Sequence, residues 1–230
     1  MKAYVKMFQM HFPLKNLLVA LLWLFIFDKN THAAQPNNSQ LNYKCSYDSW
    51  NWNTISKKSE NRSRIIKTKA DLSNEEHGTI QNCSVCEEDQ GEIFVASLPS
   101  FKICKVYKER IEAVIKKVIA SGFPITSISG YRVGKSKGPI NSLGQRTQFS
   151  NHSYGVAIDF NSEKNGLYDS CLVFGHGCKL IRGGIYNPTV EGSVHRNTLL
   201  YQLMIKESFK WGGEINGKQK DFMHFSLDGT

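Results

Sequence analysis

The order of periodic segments predicts an α+β fold, with helices packed on a small, mostly antiparallel sheet. Three observations carry this expectation. Residues 104–120 repeat apolar side chains at helical spacing (Val106, Ile111, Val114, Ile115, Val118, Ile119), with Lys and Glu on the other face. Residues 125–129 alternate like a half-buried strand, and 156–160 form a short apolar run that suits a buried one. A second helical period covers 195–209, around Leu199, Leu200, Leu203 and Met204, before a closing strand at 223–227. Helix, strand, strand, helix, strand is an α+β order, not the strict alternation that builds parallel sheets.

Taken from the N-terminus, Lys2, Lys6 and Lys15 precede an unbroken apolar run of 11 residues, 17–27, and small residues close it at 31–33. A basic start, a short apolar run and a small-residue exit describe a secretory signal peptide over 1–33. The run is shorter than the roughly 20 residues a membrane-spanning helix needs, and the alternative reading is an uncleaved membrane anchor. No second apolar run of that length follows, so the mature chain is expected to make no stable membrane insertion. Residues 34–93 are polar, rich in Asn, Ser and Lys, and read as an extended arm tied down by cysteines instead of a core of its own. Ser121 and Gly122 close the first helix, and Arg132 follows the alternating strand. Residues 133–148, with repeated glycines and basic side chains, read as a long mobile loop, and 161–191 as a loop-rich insertion.

The formal charge is +9, falling to +6 without residues 1–33. That balance favours anionic partners such as wall polymers, acidic peptides or lipid headgroups. There is no arginine-rich helix and no basic run interleaved with aromatics, so no nucleic-acid partner is expected. Six cysteines in an exported chain read as disulfides. Cys171 and Cys178 enclose a short glycine-containing loop and are expected to pair with each other. Cys45, Cys83, Cys86 and Cys104 allow three connectivities. Cys83 and Cys86 have redox-motif spacing but sit in a polar loop, and a structural zinc site would need a second close pair.

The chemistry concentrates in Ser150-Asn151-His152-Ser153-Tyr154-Gly155-Val156-Ala157-Ile158-Asp159, answered by Asp221-Phe222-Met223-His224-Phe225. Two histidines and a carboxylate can hold a divalent metal and leave a fourth position for water. Seven residues separate His152 from Asp159, so the chain must bend after His152, and Gly155 permits that bend. Alternation then sends Asp159 to the face opposite Ile158. Alone, His152 reads as a turn residue and Asp159 as a solvated strand end. Together with His224 they predict one divalent ion per chain, zinc preferred and another divalent metal the alternative. Asp221 and His224 would point to opposite faces of a straight strand, so a turn at 221–222 is needed to bring Asp221 back as a general base.

This pattern, Ser-x-His-x-x-Gly-x-Ala-x-Asp with a distant acid-x-x-His-Phe, resembles the VanY-like D-alanyl-D-alanine carboxypeptidases, a zinc metallopeptidase family that also contains L-alanyl-D-glutamate endopeptidases. Ser129-Gly130-Tyr131-Arg132 and Trp211-Gly212-Gly213-Glu214 extend the resemblance over residues 94–227. It implies a Hedgehog/DD-peptidase-like zinc peptidase fold over 94–230, with zinc held by His152, Asp159 and His224. It further implies Asp221 as the base, Arg132 as the group steadying the oxyanion, Ser150 near the substrate's terminal groups, and Glu214 orienting the site or the substrate amine. The implied substrate is peptidoglycan or its peptide fragments, met in the periplasm or outside the cell. D-Ala-D-Ala carboxypeptidase activity is favoured for the family, with L-Ala-D-Glu endopeptidase activity close behind. The alternative is a non-catalytic, zinc-stabilised wall-binding module. Its sign would be loss of the acid at position 221, which is present here.

Overall fold

The computed structural model describes residues 43–96 and 98–229. The expected signal peptide and residues 34–42 lie outside them. In chain order the elements are β1 (Lys44–Asn53), β2 (Lys58–Thr68), α1 (Asn74–His77), β3 (Gln90–Ile93), β4 (Phe101–Cys104), α2 (Lys108–Ala120) and β5 (Ile128–Ser129). They continue as β6 (Lys135–Ile140), β7 (Arg146–Phe149), β8 (Ala157–Phe160), β9 (Leu167–Asp169), β10 (Lys179–Arg182), α3 (Leu199–Lys206), β11 (Lys210–Trp211), β12 (Lys220–Asp221) and β13 (His224–Ser226). The α+β expectation holds, but as several small sheets. Their strand orders are β2-β1-β6-β7, β11-β13-β8-β5, β10-β9-β12 and β3-β4. All pairs are antiparallel except β1 with β6, which meet in parallel at Asn51 and Lys135.

Three segments read as irregular hold antiparallel strand pairs, among them the loop-rich insertion with β9 and β10. The polar arm contains β1 and β2, paired antiparallel from Lys44–Thr68 to Asn53–Lys58. No residue of β2 is buried, and the register of β1 shifts between Ser49 and Asn51, which breaks the period-2 signal. The segment read as a mobile loop holds β6 and β7, again with register shifts and almost no buried side chain. These strands are held by backbone pairing, which apolar alternation does not report. The β3 strand of the arm pairs with β4 beyond residue 93, and Cys83–Cys104 joins the same two segments.

The first helix begins at Lys108 rather than 104, because Cys104 ends β4 and the chain turns before α2. Val106 is accordingly exposed, while Ile111, Val114, Ile115 and Val118 form the buried stripe. The second helix is shorter than its period, 199–206, since Thr198 caps it by accepting from the Tyr201 N–H. Tyr107, just before α2, and Phe209, just after α3, make an edge contact with 5.7 Å between centroids. Both helices cover the inner face of β13 and β8, where Ile158, Phe160 and Phe225 are fully buried. A side chain of this size contributes about 1.5–3 kcal/mol on burial, so this packing fixes which way β8 faces. Asp159, between Ile158 and Phe160, must therefore point away from the helices. Among the described residues no helix is long and apolar enough to cross a membrane.

All six cysteines are paired, Cys45–Cys86, Cys83–Cys104 and, as expected, Cys171–Cys178. Alkylation of the denatured, unreduced protein is expected to label none of them, and two or more labelled residues in active protein would refute the set.

A second apolar cluster under the hairpins (Tyr47, Leu72, Val85, Val133, Phe149) carries a buried carboxylate, Glu76. Burial pushes the Glu76 carboxyl up, but Lys67 at 2.7 Å, the Tyr47 hydroxyl and the Ser73 turn outweigh it and bring it from 4.5 down to about 2. A depressed carboxylate stabilises the fold above its unfolded pKa and loses that contribution as pH falls through its folded one. Wild-type stability should thus decline between about pH 4.5 and 2 more steeply than that of Glu76→Gln, which is expected to melt lower at pH 7. Parallel pH profiles of the two melting temperatures would dismiss this contribution.

Candidate metal centre

His152 lies in the 3-10 turn Asn151–Tyr154, which links β7 to β8. The turn closes at Gly155, whose φ of +64° is left-handed. A side chain there would also collide with its surroundings: a Cβ would sit 2.0 Å from Gln90 Oε1 and 2.4 Å from the Cys104 nitrogen. Glycine is therefore required twice, by conformation and by close approach. After it, β8 runs between β13 and β5, with Asp159 opposite His224 on one side and Ser129 on the other. Cross-strand register thus delivers the third member of the set.

The three side chains converge. His152 Nε2 lies 3.1 Å and His224 Nδ1 2.9 Å from the same oxygen, Asp159 Oδ1, and the rings are 5.1 Å apart. His152, Asp159 and His224 are 3%, 7% and 6% exposed, and one donor atom from each lies within 4.8 Å of the others. His152 Nδ1 sits 2.8 Å from the Gly130 carbonyl and 2.8 Å from Arg132 Nη1. Nδ1 can donate to Gly130, leaving the Nε2 lone pair towards Asp159, or accept from Arg132, with Nε2 donating to that carboxylate. Two imidazoles and a carboxylate meeting within this distance are a donor set that fits a divalent ion.

The three groups are shifted in different directions. Burial pushes the His152 ring down to about 4, so it is neutral, as a ligand must be. Burial would raise Asp159, but His152, hydrogen bonds from both rings and Arg132 hold it well below the usual carboxylate range. Burial also works against a charged His224, yet its bond to Asp159 and the charges of Asp159 and Asp221 raise it above an ordinary histidine.

Asp221 ends β12, and the chain turns at Phe222 and Met223, one residue beyond the expected position, before His224 opens β13. Trp211 braces this turn by donating from Nε1 to the Phe222 carbonyl at 2.9 Å. Gly212 packs beside it: a Cβ there would lie 2.3 Å from the Asp221 carbonyl oxygen and 3.1 Å from His224 Cβ. That explains the Trp211-Gly212 pair physically. Asp221 Oδ1 is buried with no hydrogen-bond partner. Burial first, then the like charge of Asp159, lifts its carboxyl to about 6, against the opposing pull of His224, Arg182 and Arg132.

Arg132 stands closer to the ligands than its motif indicated. Nη2 donates to Asp159 Oδ2 at 2.7 Å and Nη1 to Ser129 Oγ at 2.8 Å, with the side chain 30% exposed. Occupying Oδ2, it turns Oδ1 towards both rings. Ser150 precedes the His152 turn and is buried, but its hydroxyl makes no capping bond to that turn. Glu214 is held elsewhere, accepting from Arg196 Nε at 2.6 Å and Tyr201 at 3.1 Å. Its carboxylate is thereby tied to α3 and not to the cluster. Lys137 was not singled out by its sequence context, yet its charge bears on Asp228, Asp221 and His224 from β6. Nothing local marked it, because β6 has no apolar alternation.

Two buried rings and a buried carboxylate converging beside a half-buried acid, on a small α+β scaffold, form a cluster that could hold a metal ion. Residues 144–227, which include all four of these side chains, match the family model described as D-alanyl-D-alanine carboxypeptidase. The family resemblance carried by the motifs therefore holds over this segment, and it is a resemblance to peptidases; Arg132 lies upstream of the match. No curated protein and no solved structure matches the chain.

Proposed function

We propose that this chain is an exported, zinc-dependent peptidase that hydrolyses an amide bond in peptidoglycan stem peptides. The observation that carries the proposal is the convergence of His152, Asp159 and His224 beside Asp221, inside the segment that matches the peptidase family. Three disulfides support an oxidising, extracytoplasmic location. His152, Asp159 and His224 would hold the ion, which when bound supplies an acidified water and an electrophile for the scissile carbonyl. Asp221, poised near neutrality, takes a proton from the attacking water and returns it to the leaving amine. The description of the matched family favours the terminal D-Ala-D-Ala bond, with the internal L-Ala-D-Glu bond as the second candidate. An acid at 221 with one buried, unpartnered oxygen speaks against a purely structural zinc module.

Digestion of purified muropeptides, with products identified by mass, tests this directly. Loss of one alanine from pentapeptides supports the carboxypeptidase, release of intact stem fragments from L-Ala supports the endopeptidase, and no product from zinc-loaded protein rejects both. Arg132 carries two roles in this scheme, since it fixes Asp159 and presents a partly exposed guanidinium beside the ligands. Arg132→Ala is expected to lose about a hundredfold in rate with zinc retained, the scale of a missing oxyanion donor. Zinc lost along with the rate would instead assign Arg132 to holding Asp159.

A further inference from the structure

Outside the His152, Asp159 and His224 cluster, the Cys171–Cys178 loop exposes an unusual set of side chains. Leu172 is 66% exposed, Val173 84%, and Gly175 and Gly177 border open space. On the neighbouring β10, Leu180 and Ile181 are also exposed, as is Ile185 just beyond it. Beneath the loop tip Phe174 packs on Tyr168, Tyr186 and Phe222, with centroids 4.8–5.3 Å away. The loop is therefore braced at its base by a disulfide and three rings while its tip remains uncovered. Exposed apolar groups gathered this way mark an interaction surface.

Its chemistry selects the partner. The tip presents the branched aliphatics Leu172 and Val173, with the His176 ring as its exposed hydrogen-bonding side chain. Its fringe is basic: Lys179 and Arg182 lie on β10, and Lys218, whose carbonyl accepts from the Cys171 N–H at 2.8 Å, is exposed beside the loop. Asp169, facing Lys179 across the β9–β10 ladder, offsets only part of that charge. Apolar side chains ringed by cations suit a lipid–water interface with anionic headgroups.

We propose that the Cys171–Cys178 loop and β10 form a peripheral docking face for anionic phospholipid. This stands independently of the peptidase reading. Because Phe174 contacts Phe222, the residue after Asp221, the docked face would be mechanically continuous with the candidate metal centre. The test uses the full chain carrying Val173→Trp, with the unsubstituted chain as its blank, titrated with vesicles of phosphatidylcholine with or without phosphatidylglycerol. A probe in the loop reports that loop alone, so the apolar run at 17–27 cannot produce its signal. The added emission is expected to shift to the blue with the anionic vesicles only. Lys179→Gln/Arg182→Gln in the same background should weaken the response about tenfold or more. Ile181→Trp serves as a second probe if the first variant does not fold. No shift, or an equal shift on neutral vesicles, would overturn the proposal. So would a shift without lipid that tracks self-association in sedimentation, which would make a second copy of the chain the occupant.

Discussion

Asp221→Asn is expected to lose at least about a hundredfold in turnover while zinc content and melting temperature stay at wild-type values. The size follows from what the position lacks. Asp221 Oδ1 is buried without a hydrogen-bond partner, so little of the fold depends on it. Its carboxyl is lifted to about 6, chiefly by burial, which places it where a proton is both accepted and returned near neutral pH. Asparagine is nearly isosteric and cannot take that proton. Turnover and bound zinc must be measured on one preparation. Near-normal turnover with a full equivalent of zinc would remove Asp221 as the base, and lost zinc would make it a residue that orients a ligand.

His224→Ala is expected to leave the purified protein with far less than one equivalent of zinc and no measurable hydrolysis. The substitution removes one of three donors and also the ring nitrogen 2.9 Å from Asp159 Oδ1. Asp159, still tied to Arg132 through Oδ2, would then face only His152. The remaining pair is too few for a stable mononuclear site. Metal analysis after dialysis decides it: a variant that keeps a full equivalent excludes His224 from the donor set.

Much of the centre is legible in the sequence, for local reasons. His152, Gly155 and Asp159 lie within one turn-and-strand unit whose geometry follows from a left-handed glycine and a period of two. The stripe Ile111, Val114, Ile115 and Val118 announces its helix because each of those side chains is buried on one face. The hairpins β1–β2 and β6–β7 are invisible in sequence because they bury few side chains, so period-2 hydrophobicity has nothing to record. Glu214 shows the converse, a residue singled out by motif whose carboxylate the fold commits to Arg196 and Tyr201.

The donor types, the bend at Gly155, the α+β class and the Cys171–Cys178 pair are all written in the chain's own order of residues. Each of these depends on chain-local geometry or on short loop closure. Tertiary packing alone sets the grip of Arg132 on Asp159 Oδ2, the pairing of Cys45 with Cys86 and Cys83 with Cys104, and the turn at Phe222–Met223 that tucks Asp221 beside His224. Those outcomes join residues far apart in the chain. They depend on how sheets, helices and the Trp211-Gly212 brace pack together, and that information is carried by no local pattern.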